Sequence, residues 1–164
     1  METIPSFNGL IEKSIIEHWD ADALTDYKGA TLQYHDVARK IEKLHILFEH
    51  SGIQKGDKIA LCGRNSSQWA AAFLATLTYG AIAVPILHEF NAEQIHNIVN
   101  HSESKLLFVG DYIVKTIDAE AMPALEGIIN LPDFSLMLSR SERLTYAREH
   151  LNMMWIFSIL RATS

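Results

Sequence analysis

Cysteine occurs once in the 164 residues, at Cys62. One thiol builds neither a disulfide framework nor a cysteine-based zinc site, and it fits a reducing cytoplasm. Glycine is thin where phosphate chemistry would want it. The eight glycines are scattered and none precedes a Lys-Ser or Lys-Thr pair, so no Walker-type loop is present. "CGRNSSQ" offers one glycine where a dinucleotide fingerprint needs three. There is no Gly-x-Ser-x-Gly elbow, and Cys62 is followed by Gly, Arg and Asn rather than the carboxylates of a phospho-receiver. Positive charge is also short: 14 Lys and Arg face 20 Asp and Glu, a net charge of −6, which gives no footprint for nucleic acid or an anionic membrane surface. Finally, "METIPSFNGLIEKSIIEHWD" has no basic region leading into an apolar one, so no secretory signal is expected and "NSS" at Asn65 reads as a turn.

What the chain does have is enough apolar residue, 48% against 21% charged, for one globular domain with a core. The densest part is "WAAAFLATLTYGAIAVPIL", Trp69 to Leu87, nineteen residues without a charge. A stretch of about 18 apolar residues is long enough to span a bilayer. A membrane helix would have to run through Gly80 and Pro85 unaided. Two soluble elements explain both residues: a helix from near Ser66, capped by Asn65 with Gln68 as the reciprocal half, stops at Gly80, and a buried strand ends at Pro85. That helix is apolar nearly all round, so it needs cover from a sheet on one side and a further layer on the other.

The same alternation runs through the rest. Phe7, Ile11, Ile15 and Trp19 recur every four residues, one stripe of a helix. "ALTDYKGATLQY" reads as a hairpin turning at Lys28-Gly29, with Leu24, Tyr27 and Leu32 in its strands. Val37, Ile41, Leu44 and Phe48 mark a second helix that Gly52 ends, and "KIALC" (58–62) is a buried strand. Asn91 with Gln94 opens another helix, with Ile95, Ile98 and Val99 inward. "KLLFVG" (105–110) and "GIINL" (127–131) are strands, and "DYIVKTIDAEAMPAL" between them carries a helix limited by Pro123. Strands alternating with helices indicate an α/β layered domain: a parallel sheet with helices on both faces, preceded by an N-terminal helix and a short hairpin.

No catalytic, cofactor-binding or metal residue emerges from this pattern. The eight histidines prompt a search for a metal site, yet His96 and His101 fall on different helix faces and "HEFNA" at His88 lacks a second histidine, so solvated surface histidines are expected. Cys62 inside an apolar strand reads as a buried thiol rather than a nucleophile. Arg64 and Asn65 stand at the carboxyl end of a parallel strand, where such sheets place ligands. Helix capping and a surface ion pair explain them without one.

The order of segments from "TLQYHDVARK" through "GIQKGDKIAL", "GRNSSQW" and "LTYGAIAVPIL" to "KLLFVGD" resembles the beginning of AMP-forming acyl-CoA synthetases, members of the adenylate-forming superfamily. "LQYHDV" is similar to the first core motif of these enzymes and "LTYGAIAVPIL" to the second. "GRNSSQWAAAFLATLTYGAIAVPILHEF" most resembles the long-chain fatty acid branch, and the likeness covers residues 20 to 131. The resemblance implies an ATP-dependent ligase that joins a fatty acid to coenzyme A through an acyl-adenylate, with ATP, Mg and CoA as the full enzyme's requirements. The family's Ser/Thr/Gly-rich phosphate loop, its ribose-binding acidic residue and its C-terminal lysine have no counterpart here, so no catalytic residue carries over. The expectation is therefore an N-terminal subdomain over 1–131, a helical extension with an atypical apolar tail over 132–164, and a chain that ends before the ATP-binding region and is inactive alone. Tail residues 153–160 either pack on the domain or form an exposed patch that promotes association, and the edges left exposed by the missing half are expected to favour a homodimer of the fragment. The implied setting is cytoplasmic, peripheral to the membrane at most. The competing reading is a stand-alone, non-catalytic α/β module that binds a small ligand or a protein.

Overall fold

A computed structural model describes residues 5–163. Helix α1 (Phe7–Glu17) is followed by the hairpin β1 (Asp22–Thr25) and β2 (Thr31–Gln33), then α2 (Tyr34–Ser51). A β/α alternation begins with β3 (Lys58–Cys62), α3 (Ser67–Tyr79), β4 (Ile82–Ile86), α4 (Ala92–Ser102) and β5 (Leu106–Val109). It continues through the single turn α5 (Asp111–Val114), β6 (Gly127–Asn130), β7 (Leu136–Ser139), α6 (Glu142–Glu149) and α7 (Leu151–Thr163).

The main sheet has the order β4-β3-β5-β6-β7. β3 pairs in parallel with both β4 and β5, and β5 with β6, while β7 returns antiparallel along β6. Side chains alternate across a strand, and the two cores divide accordingly. Ile59, Leu61, Leu106, Phe108 and Ile129 face α2, α3, α6 and α7. Ala60, Cys62, Leu107, Val109 and Ile128 face α4 and the 111–125 segment. All four β5 residues are fully buried, so this central strand is apolar on both faces, as a strand covered by helices on each side must be. The α/β class and the two-sided helical cover agree with the sequence.

The uncharged stretch divides as its glycine requires. Gly80 stops α3 in the left-handed region (φ 93°), its N–H reaching Leu77 O and Thr76 O. The strand after it departs from expectation: β4 runs through Pro85 to Ile86 and, as the sheet's edge, is buried only at Ile86, because an edge strand has a neighbour on one side alone and there tolerates a proline. Among the described residues, no helix is long and apolar enough to cross a membrane. The cover of α3 comes from α2: His45 meets the Ala75 carbonyl at 3.0 Å and the Thr78 hydroxyl at 2.9 Å, and Tyr79 donates to Ile53 O at 2.7 Å. Phe48 sits edge-on to both Tyr79 and Phe108, tying α2 to α3 and to the sheet.

Local details differ from expectation. The α3 cap is Ser66, whose hydroxyl accepts from Trp69 N–H at 3.1 Å; Asn65 does not cap, and Gln68 instead donates to the Leu131 and Pro132 carbonyls. The adjacent serine is one residue better placed to reach the third turn amide. Tyr27 lies in the hairpin turn, 91% exposed, and Trp19 falls beyond the end of α1. The 111–125 helix shrinks to α5 and a 3-10 turn at Ala119–Ala121. β7 interrupts the helical extension, because its few apolar residues complete the sheet edge beside β6.

The apolar tail forms α7. Met154 and Trp155 pack on the core, and Trp155 Nε1 donates to Glu42 at 3.3 Å. Met153, Ile156 and Phe157 are about half exposed on the other side (46%, 52% and 54%). Replacing Phe48 with alanine removes the ring that joins three elements and should lower unfolding free energy by about 3–5 kcal/mol, measured by urea titration. A loss below about 1 kcal/mol would show that this ring does not tie the layers together.

Candidate functional site

β4 and β5 flank β3 on opposite sides, and the crossover helices α3 and α4 lie on opposite faces. The loops after β3 and β5 therefore diverge, opening a crevice at the carboxyl ends of the strands, where open α/β sheets accept ligands. Its volume is about 410 Å³, with Arg64, Ser66, Gly110, Tyr112 and Leu131 among its walls.

The sequence pointed to Arg64 and Asn65 at this edge. Only Arg64 lines the crevice, and its guanidinium carbon lies 4.9 Å from the Tyr112 ring centroid rather than in an ion pair. Burial raises the Tyr112 phenol above its usual range, with Arg64 opposing. The N-terminus of α3 already holds an anion: Asp26 accepts from Ser67 N–H and from the Ser67 hydroxyl, both at 2.7 Å. That carboxylate stands where a phosphate would seek backbone N–H groups. The crevice therefore does not fit the triphosphate of ATP, and no catalytic step is derived from it. The hairpin's reach to α3 through Asp26 has no signal in the sequence, since the partners lie 41 positions apart.

Cys62 is fully buried, and burial pushes its thiol up to about 11. The thiol is suited to packing rather than nucleophilic attack. The histidines are not uniformly solvated. His45 is held between α2 and α3, and burial lowers its pKa against the opposing Ala75 hydrogen bond and Glu42 charge. His96 accepts from Asp118 N–H at 3.0 Å, pinning the α4 face to the 111–125 segment. Among the described residues, no group of three or more His, Cys, Asp or Glu side chains is arranged to hold a metal ion.

The family described as AMP-binding enzyme matches residues 11–150. The chain belongs to this family of adenylate-forming ligases. It is 31% identical over 83 residues to the long-chain-fatty-acid–CoA ligase FadD15 of Mycobacterium bovis, covering 49% of this chain and 14% of that one. It is likewise 31% identical over 98 residues to surfactin synthase subunit 2 of Bacillus subtilis, covering 60% of this chain and 3% of that one. The fold matches the anthranilate CoA ligase AuaEII, solved in complex with anthranoyl-AMP, with a TM-score of 0.72 at 18% identity, over 79% of this chain and 25% of that one. The chain thus spans well under a fifth of the length of these two sequence relatives.

The Cys62 thiol should resist Ellman's reagent in the native protein at neutral pH and react fully in denaturant. Its native pKa lies above the ordinary 9.0, so its contribution is intact below pH 9.0 and is lost as pH rises towards about 11. Cys62→Val should lack that portion of the alkaline destabilisation. Native-state labelling at the rate of a free thiol would contradict the burial.

Proposed function

We propose that this chain is the N-terminal subdomain of an AMP-forming acyl-CoA ligase that activates long-chain fatty acids, and that its role is scaffolding. Residues 1–131 would form the subdomain, and 132–164 would extend it with β7, α6 and the apolar tail helix. The family match over residues 11–150 carries the reading. The branch assignment is supported by "GRNSSQWAAAFLATLTYGAIAVPILHEF" and by the likeness to a long-chain-fatty-acid–CoA ligase.

In the complete ligase, fatty acid, ATP with Mg, and CoA would be the reactants, meeting where this sheet's carboxyl edge faces the rest of the protein. The work proposed for these residues is structural: β5 anchors the sheet, α3 and the 111–125 segment lead the two loops to opposite faces, and Asp26 ties the hairpin to α3. The setting is proposed as cytoplasmic, with peripheral membrane contact at most.

Incubated with ATP, Mg and palmitate, the chain should release no pyrophosphate above a protein-free control. Palmitate-dependent release would overturn the scaffold assignment.

A further inference from the structure

A second groove, of about 560 Å³, runs along α2 on the side away from α1, bounded by the 131–134 loop and the α6–α7 junction. Its charge is opposite to that of the molecule. Four cations (Arg39, Lys40, Lys43 and Arg148) and two carboxylates (Asp36 and Asp133) line it, in a chain of net charge −6. Lys40 and Lys43 project from the Asp36 stripe of α2 at helical spacing, so they converge on one side.

Both carboxylates have hydrogen-bond or ion-pair partners of their own. Asp36 accepts from Gln33 N–H at 2.9 Å and pairs with Arg39 at 3.6 Å. Asp133 accepts from the Asn130 amide at 3.1 Å and from Ser135 N–H at 2.9 Å. Among the described residues, no carboxylate lies within ion-pair distance of Lys40, Lys43 or Arg148, although all three are half-buried. They rest instead on aromatic and backbone groups: Lys40 Nζ 5.9 Å from the Phe134 ring centroid, Lys43 Nζ 4.3 Å from that of Trp155, and Arg148 Nε donating to Phe134 O at 2.9 Å. Burial lowers the Lys40 pKa, Asp36 opposes this, and Lys43 adds to it.

Two further features border the groove. Phe134 adopts φ 55°, a left-handed conformation costly for a bulky side chain, and so presents both its ring to Lys40 and its carbonyl to Arg148. Gln68 Oε1 is buried with no hydrogen-bond partner, while Nε2 is fixed by the Leu131 and Pro132 carbonyls at 3.3 and 3.2 Å. The two carbonyls dictate which end of the amide is the oxygen. Leu44, Leu47 and Leu151 supply an apolar floor.

We propose that this groove binds a phosphomonoester borne on a small apolar group. A carboxylate would neutralise one of the three cations that lack a carboxylate partner, whereas a phosphate dianion carries more charge and more acceptors to share among them. The ester's organic part would lie on the leucine floor.

The test is calorimetric titration at low salt with phenyl phosphate, with phenylacetate as the carboxylate control, and with phosphatidylcholine vesicles containing phosphatidic acid. Saturable binding of phenyl phosphate at least tenfold tighter than phenylacetate is expected. Lys40→Gln/Lys43→Gln should weaken it at least tenfold, and the exposed Lys115→Gln should leave it unchanged. The single Lys40→Met variant serves if the double variant melts early. Binding to vesicles alone, weakened in the same way, would assign the phosphate to a lipid headgroup. Absence of both forms of binding, equal affinity for phenylacetate, or unchanged affinity in the folded groove variants would overturn the proposal.

Discussion

The structure depends on one constraint: the central strand must be buried on both faces. Leu106 to Val109 carry no polar side chain and no exposure, so neither face can meet water. Each face requires helices, and the chain supplies them by crossing from β3 to β4 over one side and from β4 to β5 over the other. The divergence of loops at the carboxyl edge, and hence the crevice, is a geometric consequence of that division. No residue of the crevice has to be present for the crevice to form.

The cover extends outwards by the same logic. α3 is apolar around most of its circumference, so α2 lies across it with Phe48 and His45. α2 in turn receives α7 through Trp155, Glu42 and Lys43. The family match ends at residue 150, one position before α7 begins at Leu151. Like residues 1–10, the outer helix lies outside the matched residues, and its Met153, Ile156 and Phe157 stay half exposed. A family fold is present, while the phosphate loop and lysine that the resemblance implies for catalysis have no counterpart in the sequence.

Much of the fold was legible because single residues carry strong backbone preferences. Gly80 divided the uncharged stretch correctly, and Asn91 with Gln94 opened α4 with both halves of the capping box. Pro85 misled, since it marks an exposed edge strand rather than the end of a buried one. Choosing between Asn65 and Ser66 as a cap was beyond the sequence, since both are good caps and only the chain path decides. β7 was hidden because a short strand at a sheet edge needs a neighbour more than a pattern. Of the candidate site, Arg64 was correctly located at the strand end, but Tyr112 and Asp26 reach it from distant segments. The basic groove was wholly illegible, because its lysines read as the solvated face of α2 until the 131–134 loop and α6 fold over them.

The proposed scaffold role requires that residues 1–164 hold no complete adenylate site. The most direct measurement is equilibrium binding of palmitoyl sulfamoyl-adenosine, an acyl-adenylate mimic whose sulfamoyl group replaces the phosphate. The account predicts no saturable binding to the folded chain. Tight, stoichiometric binding would contradict it, since it would require a complete adenylate pocket within residues 1–164.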